Sequence, residues 1–389
     1  MCHKGIAPVL LVLCGLFGQA QGQDHPASNS SFGSPPLYQV SFERSDAVAG
    51  LDASPAIKLP FECTNDGTIF MSMVPLGGEM HPPTYAPLPL LLVSVSPSNR
   101  VHTFPLDQAT EQLYDVREVA HYAAESRVIF LIKAASENQP VKQTYTKPDG
   151  MEADITRNAA ERHLYIVVFD REGRYIKTIQ IDVPIEVQQI GMFSTGVFLA
   201  FGYSEKDHSQ KLVMLKDDGT LMRSLQIGKD DAPGSMLRTK DEGGQGPAVY
   251  VAPTQFVPHG HSIVLVQTKS TFPPLEISEG GEIRAIHPKL PKGTQIEGVI
   301  ESDEDLFARI NPVTDASVYE LDLHDGGVLS RFELSDGRLS SSVACVHDGK
   351  FLSFEHGEGK LIPLVGVPEL STDASHIGRQ TPPTSKSDK

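Results

Sequence analysis

Polar and charged residues recur at one place in this chain, the start of the first strand of each repeated unit, and they are its best candidates for chemistry. They are Lys58, Arg117, Glu118, Glu186, Gln255, Glu297 and Arg338. Glu118, Glu186 and Glu297, gathered at one point, would offer the oxygen ligands that a hard cation takes. A cation held there would support a metal-dependent hydrolase or lyase. Lys58, Arg117 and Arg338 would share the same ring, and such a mixture neutralises itself by ion pairs more readily than it holds a divalent ion. The mixture suits a polar ligand or a peptide instead. No catalytic residue, metal or cofactor is assigned from it.

Other chemistry is sparse. Gly349-Lys350 and Gly359-Lys360 lack the upstream Gly and the following Ser or Thr of a phosphate loop. No Gly-x-Ser-x-Gly elbow, His-Glu-x-x-His or Cys-x-x-Cys occurs. His259-Gly-His261 presents two imidazoles at a turn, without adjacent ligands to complete a metal site. Cys63-Thr-Asn-Asp-Gly67 and Cys345-Val-His-Asp-Gly349 are one pentad written twice, so the two cysteines occupy equivalent positions in two units. They are either a disulfide or two buried thiols. A bridge requires their Cα atoms within about 7 Å and their Cβ vectors turned toward each other.

The elements that must position these residues repeat. Tyr165 to Gly173, Leu212 to Gly219, Leu275 to Gly281 and Tyr319 to Gly327 each carry a β-patterned run into a Gly-bearing turn, and a second run follows. Each reads as a β-hairpin, since Gly supplies the positive φ of a tight reversal. A second element precedes the hairpins, a polar turn leading into a strongly apolar strand. It begins at Asp66, Glu125, Ser194, His259, Glu304 and Asp348, which makes six units. Four-stranded units repeated in this way predict an all-β, six-bladed β-propeller of antiparallel blades. The sixth unit has three strands before the tail, and Leu37 to Glu43 is expected to supply the fourth and close the ring. In this the chain resembles the six-bladed propellers of the NHL and TolB-like superfamily over about residues 37 to 368. The resemblance implies a fold and a closure, not an activity. The absence of Trp speaks against propellers marked by Trp-Asp dipeptides.

The hairpin glycines also serve as a ruler. Gly173 to Gly219 and Gly281 to Gly327 both span 46 residues, whereas Gly219 to Gly281 spans 62. The excess falls in Lys229 to Tyr250, and two further expansions are Pro75 to Pro89 and Ala134 to Ala160. All three belong to the connections between second and third strands or between blades, which share one rim of a propeller. Long loops on a rigid scaffold are where binding usually resides.

The ends bound the setting. Lys4 followed by the apolar run Ile6 to Phe17 and small residues at Ala20 and Gly22 reads as a signal peptide over residues 1 to 22. Residues 23 to 36 and 369 to 389 read as a polar leader and tail. The chain has 49 acidic against 33 basic residues and a formal charge of −16, which excludes a nucleic-acid partner and disfavours an anionic membrane surface. No stretch beyond the leader is long and apolar enough to span a membrane. The expectation is an exported, periplasmic or extracellular, non-catalytic propeller. It would bind a protein partner or polar ligand of the cell envelope through its loop-rich rim; the metal-dependent channel-mouth enzyme is the alternative.

Overall fold

The computed structural model describes residues 34–45, 51–52, 56–74, 91–97, 100–146, 150–228, 237–240, 247–250, 254–268, 272–302, 305–311, 316–335, 337–338, 342–357 and 360–371. The predicted signal peptide, the leader up to residue 33, the Pro75 to Pro89 expansion and the tail beyond residue 371 lie outside the described residues.

Strands form because the sequence alternates or runs apolar over short stretches between turn residues. Four separate four-stranded antiparallel sheets result. The first comprises Ala56–Cys63, Ile69–Val74, Leu91–Val95 and Val101–Phe104. In the second, Tyr114–Ala123, Arg127–Ala135, Arg162–Asp170 and Tyr175–Ile181 follow one another. The third holds Glu186–Met192, Phe198–Ser204, Ser209–Leu215 and Leu221–Leu225. Thr254–His259, Ser262–Gln267, Leu275–Ser278 and Ile283–Ala285 make the fourth. The whole is a propeller arrangement.

The remaining long strands form one continuous sheet, which corrects the expected count of six separate blades. Gln295–Ser302, Asp305–Asn311, Ser317–Leu321 and Val328–Leu334 lie in order, and Leu37–Arg44, Lys360–Leu370, Lys350–Gly357 and Val343–His347 continue from them. The physical reason is the N-terminal strand. It pairs antiparallel with Lys360–Leu370, and its other edge pairs in parallel with Val328–Leu334 through Leu37↔Arg331 to Val40↔Leu334. Hydrogen bonding therefore runs without a break across both sets. A one-turn helix, Leu106–Ala109, links the first sheet to the strand that begins at Tyr114.

The core is distributed between sheets. One apolar cluster joins the second, third and fourth sheets, and another joins the first and second. Two more pack the large sheet against the fourth and the first. Second strands are apolar on both faces for this reason, and Phe198–Ser204 is buried throughout.

The hairpin glycines have a second duty besides their turn. Gly173, Gly219 and Gly281 hold φ of 80°, 84° and 79°. A Cβ on each would collide with the outer strand of the preceding sheet: Thr103, Ile179 and Arg223 respectively. In the fourth hairpin the left-handed residue is Gly326 (φ 72°), not the expected Gly327, and a Cβ there would overlap the carbonyl oxygen of His287. Basic residues just past these turns latch onto the next one. Lys177 Nζ donates to the Asp217 carbonyl at 2.7 Å, Arg223 to that of Gly280, and Arg284 to that of Leu323.

Candidate channel-mouth site

The first strands of successive sheets stand side by side. Tyr114–Ala123 adjoins Glu186–Met192, which adjoins Thr254–His259, then Gln295–Ser302, Val343–His347 and Ala56–Cys63. The circle closes through side chains, since His121 Nε2 lies 3.3 Å from Glu62 Oε1. Cys63 and Cys345 sit on the two strands at the seam, with Cα atoms 5.3 Å apart, and the structure joins them as a disulfide.

The first strands are bulged near their starts. Gln188 and Glu297 are the extra residues at breaks of register between Val187 and Gln189 and between Ile296 and Gly298. The strand Tyr114–Ala123 is irregular on both sides of Arg117 and Glu118. Bulges re-aim side chains and recur beside functional sites.

The seven sequence candidates separate under this geometry. Glu118 is 7% exposed; its Oε1 lies 2.9 Å from His121 Nδ1, and its Oε2 is buried with no hydrogen-bond partner. Glu297 likewise has a buried, unpartnered Oε2, and Glu186 is exposed on the third sheet. Gln255, by contrast, is a stitch between sheets. It donates to the Val299 carbonyl at 3.1 Å and accepts from the Val299 N–H at 3.2 Å, so its amide is committed to backbone. Arg117 turns to Asp115 at 3.4 Å, a carboxylate that Arg162 also holds. Arg338 lies over the Phe42 ring and 3.6 Å from Glu355, against the closing strand. Lys58 stands in the first strand opposite Ser72; its side chain is outside the described residues. Arg117 and Arg338 are thus paired with Asp115 and Glu355, acids outside the seven candidates.

Nor do the acids gather into an ion cage. Among the described residues no three His, Cys, Asp or Glu side chains are grouped to hold a metal. His259 turns inward to Glu301, with Nδ1 at 3.2 Å from Oε1.

Three features escaped the sequence. Arg309, on a second strand, is 2% exposed and passes across Gly298, where a Cβ would overlap its guanidinium. Its Nη1 donates to the Val343 carbonyl at 3.2 Å, while Nη2 is buried without a partner. Burial pushes its pKa down to about 10, and the Glu297 charge partly opposes that. An Arg in the apolar run Leu-Phe-Ala-Arg-Ile, facing a Gly on the paired strand, was the available signal. At the other end of the ring Glu301, 1% exposed, accepts from Asn65 Nδ2 at 3.3 Å and from His259. Tyr122 is fully buried there, and burial, then the Glu301 and Glu62 charges, raise its hydroxyl well above 10. Third, Glu62 and Glu118 flank the His121 imidazole from two sheets.

No family model and no curated protein matches this chain. Solved structures do. A glutaminyl cyclase from Myxococcus xanthus aligns over 86% of this chain and 99% of its own, at 8% identity and a TM-score of 0.34. The β-propeller domain of the Trilobed protease from Pyrococcus furiosus aligns over 81% and 95%, at 8% identity and 0.37. The hydrazine synthase of Kuenenia stuttgartiensis aligns over 84% and 98%, at 10% and 0.40. The likeness is one of fold, and no activity passes across it.

Proposed function

We propose that this chain is an exported, six-bladed propeller that binds a partner of the cell envelope through the rim at the starts of its first strands. Six blades follow if the continuous sheet is two blades, Gln295 to Leu334 and Val343 to Leu370 with Leu37–Arg44. Both sets are antiparallel internally, and the strand ladder between them is a four-residue parallel pairing. That arrangement is in keeping with the resemblance to NHL and TolB-like propellers.

The observation that carries the binding reading is a pair of two-stranded arms. Pro140–Thr146 pairs with Glu152–Asn158 in the connection between second and third strands of the second sheet, and Leu237–Lys240 pairs with Pro247–Tyr250 between the third and fourth sheets. Those two connection classes emerge on the same rim. A lone two-stranded ribbon is marginally stable in water, so keeping two of them is better explained by contact than by scaffold. Val141 and Met151, 51% and 58% exposed, offer apolar contact on the first arm.

Replacing residues 138–159 with a short Gly-containing turn leaves the Ala135↔Arg162 pair intact. The variant is expected to melt like the parent and to lose cross-links to its partner in a native envelope extract. An unchanged cross-linking pattern overturns the reading.

A further inference from the structure

We infer that a cavity between the second and third sheets binds a carboxylate carried on an apolar body. The cavity lies apart from the two arms, on the face where first strands turn into second strands and the hairpins reverse. It measures about 360 Å³. Val168, Met192 and Phe198, all buried, form its floor, and Ile176, 41% exposed, joins them. An apolar floor beneath a few placed polar groups is what small-molecule sites have in common.

Four charged groups line this cavity, and three are already answered. Lys177 is committed to Asp217, donating to its carbonyl at 2.7 Å and to its Oδ2 at 3.1 Å. Asp170 stands opposite Arg127 in the strand pairing, yet its carboxylate closes its own turn. It accepts from the Glu172 and Arg174 N–H groups at 3.0 and 2.8 Å and from the Arg174 guanidinium. Glu125 and Glu172, near in sequence, line the neighbouring cavity between the first and second sheets, alongside Arg171. Arg127 is left. It is half-buried, and its guanidinium makes no hydrogen bond or ion pair among the described residues. The hydroxyls of Ser126, Ser194 and Thr195, in the same lining, likewise bond to no described residue. The cavity thus offers one unanswered positive charge on a planar fork of N–H donors, with three hydroxyls. A guanidinium matches a carboxylate in bidentate geometry. A phosphate monoester carries about −1.5 to −2 charges at neutral pH, more than this lining answers.

Titration calorimetry of the full chain with 3-phenylpropionate, in low-salt buffer, tests this. Saturable binding is expected, weakened by about tenfold in Arg127→Gln and by as much for the neutral 3-phenylpropionamide. Acetate, which leaves the apolar floor uncovered, should bind more weakly, and so should phenyl phosphate. Thr195→Glu, at an exposed turn position, adds an acid to the lining without touching the core; it should melt like the parent and abolish binding. The arm-deleted variant should bind 3-phenylpropionate as the parent does, so this site and the arms are separable. Absence of saturable binding by the parent overturns the inference. So does affinity that Arg127→Gln and Thr195→Glu leave unchanged, equal binding of the amide, or tighter binding of phenyl phosphate.

Discussion

Gly298 exists to let Arg309 through. Its absent side chain is the space the guanidinium occupies, so Gly298→Ala forces a buried, charged group to move. Overpacking of this kind costs about 1–3 kcal/mol. Urea denaturation should show that loss in the parent background and a smaller one beside Arg309→Met. Equal losses would mean that Gly298 serves its backbone rather than its neighbour. Asp66 gives a pH prediction. Burial disfavours its charge, but hydrogen bonds from Thr64 and Arg171 and the Arg171 charge outweigh that and hold its pKa below 3.8. A carboxyl with a depressed folded pKa stabilises fully above its unfolded value and loses that contribution as pH falls through the folded one. Melting temperature between about pH 4 and pH 2 should therefore fall more steeply in the parent than in Asp66→Asn. Parallel curves would remove Asp66 from the account.

At the scale of the element, the hairpin turn is both a reversal and a spacer. Gly326 is left-handed and abuts the His287 backbone, whereas Gly327 faces only the Asp325 side chain. Gly326→Ala should destabilise by about 1–3 kcal/mol, through strain at positive φ together with the close approach, and Gly327→Ala by clearly less. Thermal melts of the two variants decide it. Glycine-bearing turns were legible in the sequence because alternation and turn residues are local properties. Which glycine of a Gly-Gly pair turns was not, since the deciding contact is with His287, in the connection that follows the fourth sheet. The bulges at Gln188 and Glu297 were equally hidden. A bulge is a mismatch between two strands, and neither strand shows it alone.

At the scale of the molecule, the ring must be closed where the chain's two ends meet. The antiparallel pairing of Leu37–Arg44 with Lys360–Leu370 and the Cys63–Cys345 disulfide both lie in that region, the latter over a sequence separation of 282. Removing a native disulfide typically costs about 2–5 kcal/mol. The double variant Cys63→Ser, Cys345→Ser should lose that much in urea denaturation under oxidising conditions, and reduction of the parent should reproduce it. An unchanged midpoint would mean that the strand pairing alone secures the seam.

The sequence by itself determined an all-β repeat, the closing strand and the places where extra chain is inserted, because period, turn residues and run length are written locally. It also brought the two cysteines into question through their matched pentads. The tertiary structure alone decided that the cysteines meet, that Gln255 is a stitch, and that Arg117 pairs with Asp115 and Arg338 with Glu355. Arg309 crosses Gly298 unannounced. Partnership between residues tens or hundreds of positions apart depends on which strands the ring sets side by side, and no local pattern encodes that.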